Sequence, residues 1–314
     1  MICKNNKCKT FVKVIVSSLL VYVLIVNVDW QEVWGYIVGA NKYFVVAYVM
    51  FYFIGILISA RKWQVLAQFK NFKNKYPFYF KSYLLGTFLN NFFPSFVGGD
   101  TYRVYSLGKP VSKISESSTT IVADRMSGLV GIMILSIIFA MLNYGILMQH
   151  NSIVIIILIL IVAMIGIVIG IRFFLSKFIQ YFIKFLPQFV QKYTTQLSEF
   201  RNHNILVKTL LYSFLFAIVG IAIPNYLLFH AIGVDITVFD FMSVIFLSSI
   251  LAAVPISMGN IGVKEWAYVF LFSIFGIGAS AAVTVVILSR VLQMIISFVA
   301  IPFYLQNKKE LKCK

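Results

Sequence analysis

Six ionisable residues stand within otherwise apolar stretches: Asp100, Arg103, Asp124, Arg125, Glu265 and Arg290. A charge at bilayer depth costs about 2.5–3.5 kcal/mol on insertion scales, so it is kept where it pairs or marks a pathway. Asp100 and Arg103 are three residues apart. On a helix they share a face and can neutralise each other. Asp124 and Arg125 are adjacent and point in different directions, so each needs a partner elsewhere, and Arg103 is a candidate for Asp124. Arg290, near Ser289 and Gln293, calls for a carboxylate or a phosphate, and the planar donor fork of arginine suits phosphate. Glu265 falls near a predicted helix start, where the dipole alone favours a carboxylate. Lys264 can instead reach an interface.

Two groups of helix breakers accompany these charges. The stretch NNFFPSFVGGDTYRVY holds Pro94, Gly98 and Gly99, and VPISMGNIGVKEWAY holds Pro255, Gly259 and Gly262. In a membrane, backbone groups freed by such breaks are tolerated only inside protein or beside a water-filled cavity. A helix restarting after Gly99, or across Gly259–Gly262, aims N–H groups into that cavity, where a phosphate can sit. A packed structural kink is the plainer alternative for either group.

The elements that must position these residues follow from composition. The chain has 314 residues, 61% hydrophobic and 12% charged, with mean hydropathy +0.91; soluble domains carry about 25% charged residues. This is a bilayer composition. The net charge of +17 comes from Lys and Arg lying between apolar runs, as the positive-inside rule expects. No soluble stretch is long enough to build a nucleic-acid-binding face, so anionic lipid headgroups are the expected partner. Spans of about 20 apolar residues are predicted near 11–28, 43–60, 126–147, 152–171, 207–230 and 281–304. The N-terminal apolar run lacks an A-x-A-like cleavage site and reads as an uncleaved first span. The stretches 78–107 and 237–277 are interrupted and read as re-entrant or broken helix pairs. Segment 173–200 reads as an amphipathic helix on the cytosolic surface.

With both termini in the cytosol, every basic cluster obeys the charge rule only if 78–107 dips from inside and 237–277 from outside. The expected fold is therefore an all-α polytopic membrane protein forming a single domain. It would have about six full spans and two re-entrant pairs in an inverted repeat, with halves near 1–147 and 152–304. Cys3, Cys8 and Cys313, at the cytosolic termini, are expected to be reduced thiols. His150, His203 and His230 do not cluster. No metal site and no cofactor are expected. The motifs of metalloproteases, serine hydrolases and P-loop nucleotide sites are absent. So are the Tyr-Asp of presenilin-type proteases and the D-x-D of sugar-nucleotide enzymes.

Three motifs taken together resemble the flippase-like membrane domain of lysylphosphatidylglycerol synthases. They are Pro94-Ser95-x-x-Gly98-Gly99-Asp100-x-x-Arg103, Asp124-Arg125-x-x-Gly128-Leu129, and Pro255-x-Ser257-x-Gly259-x-x-Gly262-x-x-Glu265. The resemblance spans nearly the whole chain. It implies a domain that moves a phospholipid between leaflets of a bacterial or archaeal inner membrane. Full synthases add a soluble lysine-transferring domain, which does not follow the last span here, so a stand-alone member is expected. In this reading Arg103, Arg125 and Arg290 contact the phosphate of an anionic phospholipid or polyprenyl-phosphate lipid. Asp100, Asp124 and Glu265 hold those arginines, and Gly98, Gly99, Gly259 and Gly262 expose backbone donors. The alternatives are a membrane transferase using a polyprenyl-phosphate-linked donor, or a non-transporting partner of a separate synthase. A homodimer is implied only by the resemblance.

Overall fold

The computed structural model describes residues 17–92, 97–147, 149, 154–159, 161–162, 166, 196, 199–201, 203–253, 257 and 260–303. The amphipathic reading of 173–200 and most of the predicted span 152–171 lie outside these residues, as do Pro94, Pro255 and Gly259.

Every regular element among the described residues is helical. The main ones are α1 (Ser17–Asn27), α2 (Trp30–Gly39), α3 (Lys42–Phe69), α4 (Tyr76–Phe92), α5 (Val97–Gly108), α6 (Ile114–Leu142), α7 (His203–Ala231), α8 (Val238–Ala253), α9 (Val263–Ser273) and α10 (Ala279–Ser297). Four are long and apolar enough to cross a bilayer: α3, α6, α7 and the continuous run Ala279–Phe303. At 1.5 Å per residue, a 28-residue helix such as α3 extends about 42 Å, well beyond the roughly 30 Å hydrocarbon core.

Two spans begin or end differently from the sequence expectation. The span expected at 43–60 continues to Phe69, so Arg61 and Lys62 lie on the helix instead of in a loop. The span expected at 126–147 starts at Ile114, which puts Asp124 and Arg125 inside the helix rather than ahead of it. Both shifts have one cause. Charged residues whose side chains find partners do not interrupt the backbone ladder, although a hydropathy window reads them as an edge. The loop expected after the first span holds α2, capped by Asp29, whose carboxylate accepts from the N–H groups of Gln31 and Glu32 at 2.8 and 3.2 Å.

Both interrupted stretches are helix–break–helix pairs, α4–α5 and α8–α9. Their arms have 17, 12, 16 and 11 residues, giving lengths of about 26, 18, 24 and 17 Å, each short of the bilayer core. In α8–α9, the Asn260 side-chain amide donates to the Ala252 carbonyl at the bend. Further back, the Phe241 and Phe272 rings lie 5.9 Å apart. The two arms are thus antiparallel.

The chain forms two compact units: Met1–Ile56, Leu84–Gly99 and Ile218–Lys314 in the first, Leu57–Tyr83 and Asp100–Ala217 in the second. In the first, α10 packs against α2, α8 packs against α9, and α9 packs against α10. Val33, Leu24, Val28 and Val283 share a small core. In the second, α6 packs on the first part of α7. Trp63, Ala67, Phe72, Tyr79, Leu107 and Ile121 form the core there.

A six-residue π-helical segment, Ala217–Ala222, interrupts α7 ahead of Pro224. Proline supplies no N–H and crowds the preceding turn, and a widened turn accommodates it. The Asn225 amide donates to the Ile221 carbonyl at 2.7 Å, and Asn225 in turn accepts from the Tyr268 hydroxyl at 3.1 Å.

Candidate functional site

In the second unit, the long helices α3 and α6 meet α5 around a buried chain of charges. Arg103, only 2% exposed, is held from four sides. One guanidinium nitrogen donates to Asp124 at 2.8 Å and another to Asp100 at 3.3 Å. The rings of Trp63 and Tyr83 lie 4.4 and 4.3 Å from its guanidinium carbon. Such stacking suits a weakly hydrated planar cation. Lys62 Nζ lies 3.0 Å from the other Asp124 oxygen and donates to the Asp124 carbonyl at 2.9 Å and to Ser213 Oγ at 3.4 Å. Arg125 closes the chain with a two-pronged grip on Asp100, both donors at 2.9 Å. Half of the Arg125 side chain remains exposed.

The cluster contains three cations, Lys62, Arg103 and Arg125, and two carboxylates, Asp100 and Asp124. It therefore carries one positive charge in excess. A buried carboxylate between two cations is stable only because the attraction and hydrogen bonds offset the desolvation of all three groups.

In the first unit, α9 is capped at its start by Gly262, whose φ of 88° favours glycine. A Cβ there would come within 2.6 Å of the Leu20 side chain. Glu265 reaches back to accept the Gly262 N–H at 2.8 Å, satisfying one of the free donors of the first turn. Its other oxygen lies 2.8 Å from Arg290 Nε. Arg290 Nη2 also donates to the Asn260 carbonyl at 2.8 Å, tying α10 to the bend. Lys264 Nζ donates to Ser289 Oγ at 3.2 Å. Tyr48 extends this polar strip: its hydroxyl donates to the Ser289 carbonyl at 3.2 Å and accepts from Gln293 at 3.1 Å. The Gln293 carbonyl accepts from Asn91 at 3.2 Å. Two cations, Lys264 and Arg290, face one carboxylate, Glu265. This cluster also has one excess positive charge.

Gly99 is the tight point of the other helix break. A Cβ there would run into the Gly86 carbonyl, and its N–H donates to Asn90 Oδ1 at 2.9 Å. The N–H groups of both Gly99 and Gly262 are thus used within the chain. Gly98 is half-buried beside it.

The structure thus gathers Asp100, Arg103, Asp124 and Arg125 in one cluster and Glu265, Arg290 and Gly262 in another. Lys62, absent from the candidate residues, lies just past the span predicted to end at residue 60, where it reads as a charge of the following cytosolic loop. A usable signal lay in the apolar positions Trp63, Leu66 and Ala67, which carry the helical pattern past it. Ser213 and Tyr48 were missed because polar residues that bond within a span leave no trace in hydropathy.

Helices of this length and composition, folded around buried ion clusters and two broken pairs, define an all-α multi-pass membrane protein. The chain belongs to the family described as the lysylphosphatidylglycerol synthase TM region, whose model matches residues 10–301. No curated protein and no solved structure matches it. The family is one of membrane domains concerned with lipid handling.

Proposed function

We propose that this protein moves an anionic or phosphate-bearing lipid between the leaflets of a cell membrane. The observation that carries the reading is the composition of the two buried clusters, each holding one more cation than its carboxylates supply. Excess positive charge at membrane depth is costly unless an anion joins it, and a lipid phosphate is the anion a bilayer offers. Arg125 and Arg290, each with part of its side chain exposed, are the residues placed to receive the phosphate. Arg103 and Lys62 hold Asp124 and set the background charge.

Unpartnered buried polar atoms support the same reading. The buried side-chain atoms of the described residues that lack a hydrogen-bond partner include Arg103 Nε, Tyr79 Oη and Ser136 Oγ in the second unit and Ser257 Oγ and Asn260 Oδ1 in the first, and each such group costs about 1–3 kcal/mol. In the first unit, Ser257 Oγ and Asn260 Oδ1 supply a donor and an acceptor of the kind a lipid headgroup hydroxyl satisfies. Discontinuous helices at a midplane site are the devices by which transporters alternate access. The distribution of Lys and Arg between the apolar runs supports termini on the cytosolic side.

The test uses proteoliposomes carrying labelled phosphatidylglycerol or a labelled polyprenyl phosphate. Wild type is compared with Arg125→Gln and Arg290→Gln, each checked for an unchanged melting temperature. Headgroup movement by wild type that both variants lose is the expected result. If wild type moves neither lipid, transport is the wrong activity.

A further inference from the structure

The second unit also contains a groove lying apart from the ion cluster. Helix α3 contributes Arg61 and Val65 to it, and α7 contributes Lys208, Leu211, Tyr212 and Leu215. The contact of Lys62 with Ser213 and of Phe69 with Phe200, 5.5 Å between rings, makes the two chain segments antiparallel along it. The cavity measures about 540 Å³, within the roughly 300–1,000 Å³ of small-ligand sites. Leu211 and Leu215 are 60% and 45% exposed there, and both cations are exposed.

The pairing of the carboxylates sets what this groove can bind. The described residues of this unit contain four: Asp100, Glu116, Asp124 and Glu199. Asp100 is taken by Arg103 and Arg125, and Asp124 by Lys62 and Arg103. Glu116 pairs with Lys113 at 3.3 Å and Glu199 with Lys70 at 2.7 Å. Among the described residues Arg61 has neutral partners, the Gln64 side chain and the Tyr76 ring, and no ion pair. Lys208 has no ion pair among the described residues. Two cations thus border an apolar trough with no acid of their own unit left to neutralise them.

We propose that this groove is a second lipid site, holding an anionic phospholipid by its phosphate between Arg61 and Lys208. The start of an acyl chain lies along Val65, Leu211 and Leu215. Both walls belong to helices that qualify as membrane spans, so the ligand comes from the bilayer. The proposal rests on the membrane assignment but not on transport. Arg61 and Lys62 are neighbours on α3, so the same turn that offers Arg61 to this lipid holds Lys62 in the ion cluster.

Native mass spectrometry of protein taken from vesicles of equal phosphatidylglycerol and phosphatidylcholine tests it. Wild type is expected to retain phosphatidylglycerol preferentially. Arg61→Gln with Lys208→Gln is expected to remove one retained phosphatidylglycerol per protein, whereas Lys73→Gln with Lys75→Gln, which removes the same charge elsewhere, leaves the number bound unchanged. Equal retention by the groove variant, or no preference in wild type, overturns the proposal. A phosphatidylglycerol with a photoreactive tail is expected to label wild type at Leu211 and Leu215, and labelling confined to other segments overturns it even if the double variant fails to fold. Arg125→Gln is expected to keep this binding, so loss of transport and loss of the groove site are separable results.

Discussion

Lys62 and Arg61 are consecutive residues of one helix, yet Lys62 is 4% exposed and bonded to Asp124, whereas Arg61 is exposed and pairs with no acid among the described residues. Successive residues on a helix point about 100° apart. One step along α3 therefore separates a side chain that completes a buried ion cluster from one that faces an open groove. This division gives the first prediction. Lys62→Met should lower stability in detergent by about 3–5 kcal/mol, the usual cost of stripping one partner from a buried pair. Arg61→Met should change it by about 0.5 kcal/mol or less. Thermal unfolding of the two variants checks the difference.

Asp124 is the carboxylate on which Lys62 and Arg103 converge. Asp124→Asn removes the compensation for two buried cations and should destabilise by about 3–5 kcal/mol. Adding Lys62→Met to Asp124→Asn should recover part of that loss, because it removes one of the stranded charges. A double-mutant cycle measured by unfolding reads the coupling directly, and simple additivity of the two losses would contradict the geometry.

The two break glycines should be intolerant of a methyl group. Gly99→Ala meets the Gly86 carbonyl, and Gly262→Ala combines a φ of 88° with the Leu20 side chain. Each should cost about 1–3 kcal/mol. Gly35, in the middle of α2, has nothing within 4 Å, and Gly35→Ala should stabilise by about 0.5–1 kcal/mol through helix propensity. Melting temperatures of the three variants in one detergent should fall on opposite sides of wild type.

The tryptophans offer a spectroscopic check of the fold. Trp63 is fully buried beneath Arg103, whereas Trp34 on α2 is 67% exposed. In single-tryptophan proteins, Trp34 should be quenched by brominated lipid or by aqueous acrylamide, as befits an interfacial aromatic residue. Trp63 should resist both. Efficient quenching of Trp63 would mean that the core around Arg103 is open.

The sequence alone made much of this legible, and the reasons are local. Apolar runs of span length identify membrane helices because the bilayer leaves a chain few other options. Proline and glycine beside Asp100 and Glu265 marked the two interrupted pairs, because breaks leave backbone groups that need protein around them. The motifs around Arg103, Arg125 and Glu265 were enough to identify the family. The spacing of Asp100 and Arg103, and the need of Asp124 for a distant partner, already pointed to the Asp100–Arg103 and Arg103–Asp124 contacts, but only the tertiary structure joined Lys62 and Arg125 to them. Arg103 faces both Asp100 and Asp124, and Arg125 turns back to Asp100 rather than outward. Helical spacing restricts a side chain to a face but does not say which distant residue arrives there. For the same reason Lys62 passed as an inner-loop cation: its partners Asp124 and Ser213 lie 62 and 151 residues away. The burial that makes it part of the cluster exists only once α3, α6 and α7 have packed.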